Sequence, residues 1–388
     1  MEYSNMKKTF VAAAVLGALA GSAFAADVTL YGVVDTGLMY QRTDSDKSGE
    51  SAVNKLSMES GLNAGSRFGL KGKEDLGNGY SVGFVLENGF DSDAGTLGKY
   101  SEQRNRLFGR EATLSLNTPF GTLGMGRMGN LNSGNGSYGI TGGFSPFGTS
   151  YKGASQSNFL AAGYGRYDNT VVYKTPTFAG VTVYAQYSMG VDANDADAVE
   201  NKASADRYYA LGATYKTGPL ALAFVVDSYN YDSSNGQLAN NDDDGVTVNF
   251  GGSYDFEVVK VYAGAQYFDN MRAAVGVTMD GTTKVTSTSV LGAAPGTVNE
   301  GYGLVAGVDV PVLGGVAKFA AGWTDVEDVD NSDNDLQRWG VAAGYTYALS
   351  KRTTVYSNVN YIENKYGNKT DGKKPTQLQA MFGLTHKF

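Results

Sequence analysis

The 388-residue sequence contains no cysteine, one histidine and seven prolines, and each scarcity narrows the class of protein. Without cysteine, the chain forms no disulfides and no thiolate metal sites. The single histidine, His386, lies near the end of the sequence, which argues against an imidazole as the general base of an enzyme and against a metal centre. We therefore expect no enzymatic activity, no cofactor and no bound metal.

Long apolar runs are also missing, apart from one short run near the start. Met6, Lys7 and Lys8 form a basic segment, and the apolar run that follows covers residues 10–20. This run is shorter than the ~20 residues that a helix needs to cross a bilayer. Because Ala23 and Ala25 form a small-x-small cleavage pattern, we predict a signal peptide over residues 1–25, with Met6 as an alternative start.

The abundant residues point to a β-sheet protein. The sequence has 53 glycines, 26 tyrosines and 18 phenylalanines, and helix signals are few. This composition predicts an all-β fold. The formal net charge of −8 argues against nucleic acid as a partner.

Apolar and polar residues alternate in many segments, which is the period of a β-strand. We predict sixteen antiparallel strands, an even number as in single-chain bacterial barrels. The predicted ranges are 27–41, 65–75, 80–91, 106–118, 121–128, 167–175, 180–190, 206–216, 220–231, 245–256, 258–269, 301–310, 315–325, 336–349, 352–363 and 376–388.

The last predicted strand shows this alternation most clearly. Leu378, Phe382 and Leu384 share one face, and the other face is polar or small. Such a strand suits lipid on one side and water on the other. Phe388 ends the strand on its apolar face, which is typical of the signal by which outer-membrane barrels are assembled, so we expect the barrel assembly machinery as a partner.

The connections between the predicted strands alternate between short and long. Short ones include 76–79, 119–120, 176–179, 217–219 and 350–351, and long polar ones include 42–64, 191–205, 232–244, 270–300 and 364–375. Short turns at one end and long loops at the other are typical of an outer-membrane β-barrel. A soluble β-sandwich is the alternative fold, but it does not explain this rhythm.

Several ordered motifs resemble the sixteen-stranded general porins of β-proteobacteria, the Neisseria and Bordetella type. The matching segments are VTLYGVVD (28–35), SRFGLKGKEDLGNG (66–79), FVLENGF (84–90), LFGREA (107–112), FGTLGMGR (120–127) and YDNTVVY (167–173). The resemblance implies a homotrimer in the outer membrane of a Gram-negative bacterium, in contact with lipid and lipopolysaccharide. It also implies a water-filled pore for ions and small hydrophilic solutes, narrowed by a third extracellular loop, here about 128–165, that folds into the lumen.

Selectivity in such a channel depends on fixed charges at the narrowest point. Arg67 matches a constriction residue of the family, and its alternation with Phe68 directs both Arg67 and Lys71 to the lumen. Glu87 also has lumen parity and is the expected acidic counterpart.

Three further arginines are candidates by their motif positions. Arg110 and Arg166 match other basic constriction positions of the family, and Arg127 sits where a strand enters the third loop. Arg110 and Arg127 share their parity with apolar residues, so a bulge or twist is needed to turn them inward.

The charge distribution predicts an anion-preferring pore. Between Met128 and Tyr167 the sequence has no acid, and its only charges are Lys152 and Arg166. The acidic runs at 242–244 and 325–335 fall in predicted extracellular loops. Charges farther from the constriction than a Debye length of ~8–10 Å are largely screened.

Two other functions remain open at this point. A substrate-specific channel for a sugar or for phosphate would share the fold, and stacked aromatics along the lumen would favour a sugar. A structural or adhesive barrel is the other alternative, although sixteen strands leave an open lumen.

Overall fold

The structure, a computed structural model, describes residues 27–46, 49–98, 106–160, 163–193, 199–232, 244–272, 278–279, 285–286, 298–329, 331–366 and 374–388. The predicted signal peptide, residues 1–25, lies outside the described residues, as do positions 242 and 243 of the first acidic run.

Strands make up most of the described chain. The described chain also contains two short 3-10 helices, Lys152–Ala154 and Gln156–Asn158. The strands are β1 Thr29–Asp44, β2 Val53–Ser60, β3 Arg67–Gly77, β4 Tyr80–Asp91, β5 Thr96–Leu97, β6 Glu111–Thr118, β7 Gly121–Gly129, β8 Arg166–Lys174, β9 Val181–Ser188, β10 Arg207–Thr217, β11 Leu220–Asn230, β12 Gly245–Asp255, β13 Lys260–Met271, β14 Thr278–Met279, β15 Val285–Thr286, β16 Asn299–Val312, β17 Gly315–Asp328, β18 Asn331–Ala348, β19 Thr353–Tyr366 and β20 Thr376–Lys387. No helix in the described ranges has the length and apolar character needed to cross a membrane.

Sixteen of these strands close into a single antiparallel barrel, as predicted. The order around the wall is β1, β3, β4, β6 to β13 and β16 to β20, each paired with the next. The ring closes where β20 pairs with β1, from Val33 opposite Lys387 to Asp44 opposite Thr376. Closure leaves the wall without a free edge.

Three short strands, β5, β14 and β15, were not predicted and several strand ends shift, but the main differences from the predicted strands lie in three places. β2 lies within the predicted loop 42–64 and pairs with the second half of β1, whereas β3 pairs with the first five residues of β1. β6 begins at Glu111, five residues later than predicted. β17 and β18 extend through part of the second acidic run, so Asp325 and Glu327 are strand residues rather than loop residues.

The two faces of the wall have opposite chemistry. On β20, Leu378, Phe382 and Leu384 are exposed on the outside, whereas Gln377 and Gln379 are buried on the inside. Large apolar side chains are exposed in the same way on the outer faces of the other strands. An apolar outer surface around a polar interior is the pattern of a membrane-spanning barrel.

Candidate pore constriction

The segment between β7 and β8 is called the inserted loop, and its described residues, 130–160 and 163–165, lie against the inner face of the wall. The Leu131 N–H donates to Oε1 of Gln186 at 2.8 Å, and the Gly153 N–H donates to Oε1 of Gln379 at 3.0 Å. Both glutamines are buried on the inner faces of their strands. Since β9 and β20 are not neighbours in the barrel, the inserted loop reaches across the interior.

Glycines form the side of the wall on which the inserted loop packs. The ring of Phe159 lies so close to Gly322 of β17 that a Cβ there would be 2.2 Å from it, and a Cβ at Gly340 of β18 would be 2.8 Å away. Phe144 lies in the same way against Gly264 of β13. Any side chain at these positions would displace the loop, so we call this surface the glycine face.

An open cavity of about 930 Å³ lies on the other side of the inserted loop. Five of the six predicted pore residues line it, namely Arg67, Lys71, Glu87, Arg110 and Arg166. We call it the charged cavity. A second space of about 660 Å³ borders the same loop and shares Asn63 and Tyr151 with the charged cavity.

Glu87 of β4 is the centre of the charged cluster. Its Oε1 accepts from Nε of Arg110 at 2.6 Å, and its Oε2 lies 3.4 Å from Nε of Arg67. The hydroxyl of Tyr31 also donates to Oε2 at 3.0 Å. One carboxylate therefore faces two guanidinium groups, and the positive charge is only partly balanced.

The two remaining cations of the predicted set are held differently. Arg166 is buried, and its Nη2 donates to Oδ1 of Asn135 in the inserted loop at 3.0 Å. Lys71 lies with Nζ 5.3 Å from the centre of the Tyr31 ring. Both side chains therefore belong to the surface of the charged cavity.

Arg110 faces the charged cavity, and the pairing of β4 with β6 contains no bulge. β6 starts at Glu111, and the side-chain alternation of a strand does not extend to the residue before it. The Arg110 N–H donates to the Glu87 carbonyl at 3.2 Å, which ties the residue to β4 and directs its side chain to the Glu87 carboxylate.

Arg127 is the predicted residue that the structure does not bring to the charged cavity. The register of β7 and β8 shifts between Gly126 and Met128, so a bulge is present. The guanidinium nevertheless binds Oδ1 of Asp168 at 2.6 Å and the Gly109 carbonyl at 2.8 Å, and Arg127 is not a lining residue.

Three charged residues of the cavity were not among the predicted pore residues, although Lys152 was noted as a charge of the third loop. Lys152 of the inserted loop lines the cavity, as do Asp91 and Glu111. Glu111 alternates with Thr113, which is also buried, so its parity could have identified it. With these three, the lining itself holds five basic and three acidic side chains, an excess of two positive charges. Just outside the lining, the Glu59 carboxylate lies 3.5 Å from Nζ of Lys152 and balances part of that charge. In the described residues, no group of three or more histidine, aspartate or glutamate side chains is placed to hold a metal ion.

The tyrosines of the inserted loop do not offset this excess. Burial and, to a smaller extent, the neighbouring Glu111 carboxylate together raise the pKa of Tyr138 to about 12. Burial likewise raises the pKa of Tyr151 above its ordinary value. Both phenols are neutral at physiological pH, so Lys152 and Arg166 remain the charges contributed by residues 130–166.

Phe388, the predicted assembly signal, lies against the first strand of the barrel. The Phe388 N–H donates to the Gly32 carbonyl at 3.1 Å, and the Gly32 N–H donates to the Phe388 carbonyl at 3.1 Å. Its ring occupies the space over Gly32, where a Cβ would come within 2.3 Å. The residue is 45% exposed on the outside of the barrel, away from the charged cavity.

Known proteins share this architecture and sequence. A family described as Gram-negative porin matches residues 12–367. An outer membrane porin protein of Bordetella pertussis is 37% identical over 92% of this chain and 95% of its own. The major outer membrane protein P.IB of Neisseria gonorrhoeae is 27% identical over 99% of this chain and all of its own.

The fold is also found in a solved structure. The structure titled anion-selective porin from Comamonas acidovorans superimposes with a TM-score of 0.67 at 23% identity, covering 94% of this chain and all of that one. These findings confirm the resemblance to the general porins. With its closed barrel and a family match over most of its length, the chain belongs to the Gram-negative porins and forms a diffusion channel in the outer membrane.

Proposed function

We propose that this porin prefers anions and that the charged cavity is its constriction. The excess of two positive charges beside a loop without acidic residues carries the proposal. Arg67, Lys71, Arg110 and Arg166 supply positive charge together with Lys152, and Glu87 is the main counter-charge. Fixed positive charge in a narrow passage concentrates anions and repels cations.

The expected effect is large enough to decide selectivity. Two unit charges at ~4 Å and an effective dielectric constant of ~20 interact by about 4 kcal/mol. Since about 1.4 kcal/mol corresponds to a factor of ten, a small part of this energy biases permeation several-fold. The protein of Comamonas acidovorans that is described as an anion-selective porin has the same fold, which is consistent with the proposal.

Reversal potentials across a planar bilayer with a salt gradient test this proposal. The purified protein should give a reversal potential of the sign set by the anion, although the chain has a net charge of −8. A potential of the opposite sign would show that the charged cavity does not control permeation.

Arginine side chains also suit phosphate, so a phosphate-specific channel is the second candidate. Guanidinium groups bind phosphate oxygens in pairs. Millimolar phosphate should then reduce chloride conductance in a saturable way, whereas a general porin passes both ions in proportion to concentration. In either case we propose that the protein does no chemistry.

We further propose a homotrimer, as the resemblance implied. The outer wall carries exposed apolar side chains such as Phe382 and Leu384 beside Leu38, and contact between copies would cover part of this surface. A species that migrates as an oligomer in mild detergent and as a monomer after boiling supports this. Monomeric mass by light scattering in the same detergent contradicts it.

Export and assembly complete the proposal. Residues 1–25 act as the signal peptide, and Phe388 is read by the barrel assembly machinery before the barrel enters lipid and lipopolysaccharide. Deletion of Phe388 should sharply reduce the amount in the outer membrane while secretion across the inner membrane continues. Lys387→Gln, one residue earlier, is the control and should assemble at the parental level.

A further inference from the structure

Asp35 is a buried carboxylate that the proposed selectivity does not use. It lies on the inner face of β1, its exposure is 0%, and it is not a lining residue of the charged cavity. None of the ion pairs among the described residues involves it. A buried carboxylate without a cation is costly unless hydrogen bonds satisfy it.

Four donors surround this carboxylate, and two of them come from the wall. The Tyr356 hydroxyl of β19 donates to Oδ1 at 2.8 Å, and the Thr385 hydroxyl of β20 donates to Oδ2. The other two are the backbone N–H groups of Asn63, at 3.4 Å from Oδ1, and Ala64, at 3.3 Å from Oδ2. These belong to residues 61–66 between β2 and β3, which we call the inner turn.

The main chain of Asp35 holds the same turn. Its carbonyl accepts from the Gly61 N–H at 3.0 Å and from the Ser66 hydroxyl at 3.1 Å. One residue therefore binds both ends of the inner turn through its backbone and the middle through its side chain.

The inner turn contacts both parts of the constriction. The Leu62 carbonyl accepts from the Tyr151 N–H of the inserted loop at 2.7 Å, and the Leu62 side chain is buried in a cluster with Phe147 and Tyr151. At the other end, the Gly65 carbonyl accepts from Nη1 of Arg67 at 2.9 Å. Moving the turn would therefore move the loop and a guanidinium group together.

We propose that Asp35 is a positioning residue for the constriction, acting through the inner turn on Tyr151 and Arg67. This proposal depends on the proposed function in one respect, namely that Arg67 contributes to ion selectivity. A carboxylate accepts on both oxygens, whereas an asparagine amide must turn its own N–H₂ towards two of the four donors. Asp35→Asn keeps the shape of the side chain and weakens its hydrogen bonds to the inner turn.

The sign of the effect separates positioning from a simple change of charge. Removing a negative charge near the pore would by itself strengthen the preference for anions. Releasing Arg67 and the inserted loop weakens it instead, and we expect the anion-to-cation permeability ratio to fall by about threefold. Leu62→Ala loosens the same turn without a change of charge and should lower the ratio in the same direction.

A spin label on the inserted loop tests the proposal independently of selectivity. Because the chain has no cysteine, Ser150→Cys, next to Tyr151, gives a single labelling site in every variant. In Asp35→Asn and in Leu62→Ala the label should become more mobile. Thr385→Val removes one wall donor and the acceptor of the Asn63 side-chain amide, but it leaves both backbone N–H bonds from the turn to Asp35. If these backbone bonds hold the turn, the variant should keep the parental mobility and permeability ratio.

Either parental label mobility in Asp35→Asn or a rise in its anion preference overturns the proposal, provided that the variant runs as a folded, heat-modifiable barrel. If Asp35→Asn does not fold, parental mobility in Leu62→Ala overturns it. A parent that does not prefer anions refutes the proposed function alone, because label mobility still reports whether Asp35 holds the loop.

Discussion

The inserted loop has the glycine face on one side and the charged cavity on the other. The glycine face is closely packed, whereas the charged cavity is open. On the glycine face, the loop backbone and its aromatic rings approach the wall so closely that no side chain fits. In the charged cavity, long side chains from β3, β4 and the loop ends extend into open space. One side therefore fixes where the loop lies, and the other determines which solutes pass it.

This division separates the consequences of mutation. A substitution on the glycine face acts through steric overlap, and closely packed interiors tolerate added atoms poorly. A substitution in the charged cavity acts through the electric field and leaves the packing in place. The predictions below test that separation.

The largest effect is expected at Gly303 of β16 on the glycine face. A Cβ there would lie 1.9 Å from the Phe159 carbonyl oxygen, which is backbone and has no rotamer to change. Gly303→Ala should displace the inserted loop and cost about 1–3 kcal/mol of stability. We expect a higher and more variable single-channel conductance, together with a lower temperature for loss of the folded band on a gel.

Gly83→Ala is the matched control for this experiment. Gly83 of β4 also faces inward, but its nearest contact would be the Ser115 hydroxyl at 3.1 Å, which can rotate away. The single-channel conductance of Gly83→Ala should equal the parental value. Parental conductance in Gly303→Ala as well would show that the loop does not depend on the glycine face.

The alternation of apolar and polar residues predicted the strands of the barrel wall but not the contacts of the inserted loop inside the barrel. All sixteen wall strands could be predicted because lipid outside and water inside impose a period of two on every strand. A glycine such as Gly322 looks the same in sequence whether it faces lipid or supports a phenylalanine ring. Its role depends on Phe159, which is far away along the chain, and no local pattern encodes that contact.

The residues of the charged cavity could be predicted only where they lie within strands, because only there does the alternation of side chains apply. Arg67 and Glu87 lie within strands, so their parity was informative and the structure brings them together. Arg110 lies just before a strand, where parity has no meaning, and Lys152 lies in a loop whose path is set by tertiary contacts. The inner turn was missed because β2 was read as part of a loop.

Arg67→Glu should give the largest change in selectivity. It alters the charge of the cavity by two units and places a carboxylate beside Glu87. We expect the permeability ratio to move towards cations by about fivefold or more. Reversal potentials in a salt gradient measure this, and single-channel conductance should show that the pore remains open.

Arg42→Glu is the control of equal charge change. Arg42 lies on β1, six residues or about 20 Å beyond Thr36, which pairs with the lining residue Ser60. It lies nine residues or about 30 Å beyond Val33, which pairs with Arg67. That distance is about three Debye lengths at physiological salt. A shift as large as that of Arg67→Glu would show that rim charges control the pore.

Glu87→Gln should change selectivity in the opposite direction and by less. It removes the carboxylate that faces Arg67 and Arg110, so one unit of negative charge is lost and both guanidinium groups remain. We expect the anion preference to rise by about twofold. Glu363 pairs with the exposed Trp339 on the outer face, so Glu363→Gln should not change the anion preference. An equal rise of the anion preference in Glu363→Gln would show that the effect of Glu87→Gln is not local to the cavity.

The smallest change in selectivity is expected at Arg127. This residue was predicted from its position in a sequence motif, but it lies outside the charged cavity. Its guanidinium binds Asp168, and Arg106 binds the same carboxylate, so Asp168 keeps one cation in Arg127→Gln. Because Arg127 does not line the charged cavity, the reversal potential should stay within error of the parent. Only a small loss of thermal stability is expected, because Arg106 still balances the buried Asp168 carboxylate when Arg127 is removed. A shift comparable with that of Arg67→Glu would instead place Arg127 in the path of the ions and move the constriction towards the end of β7.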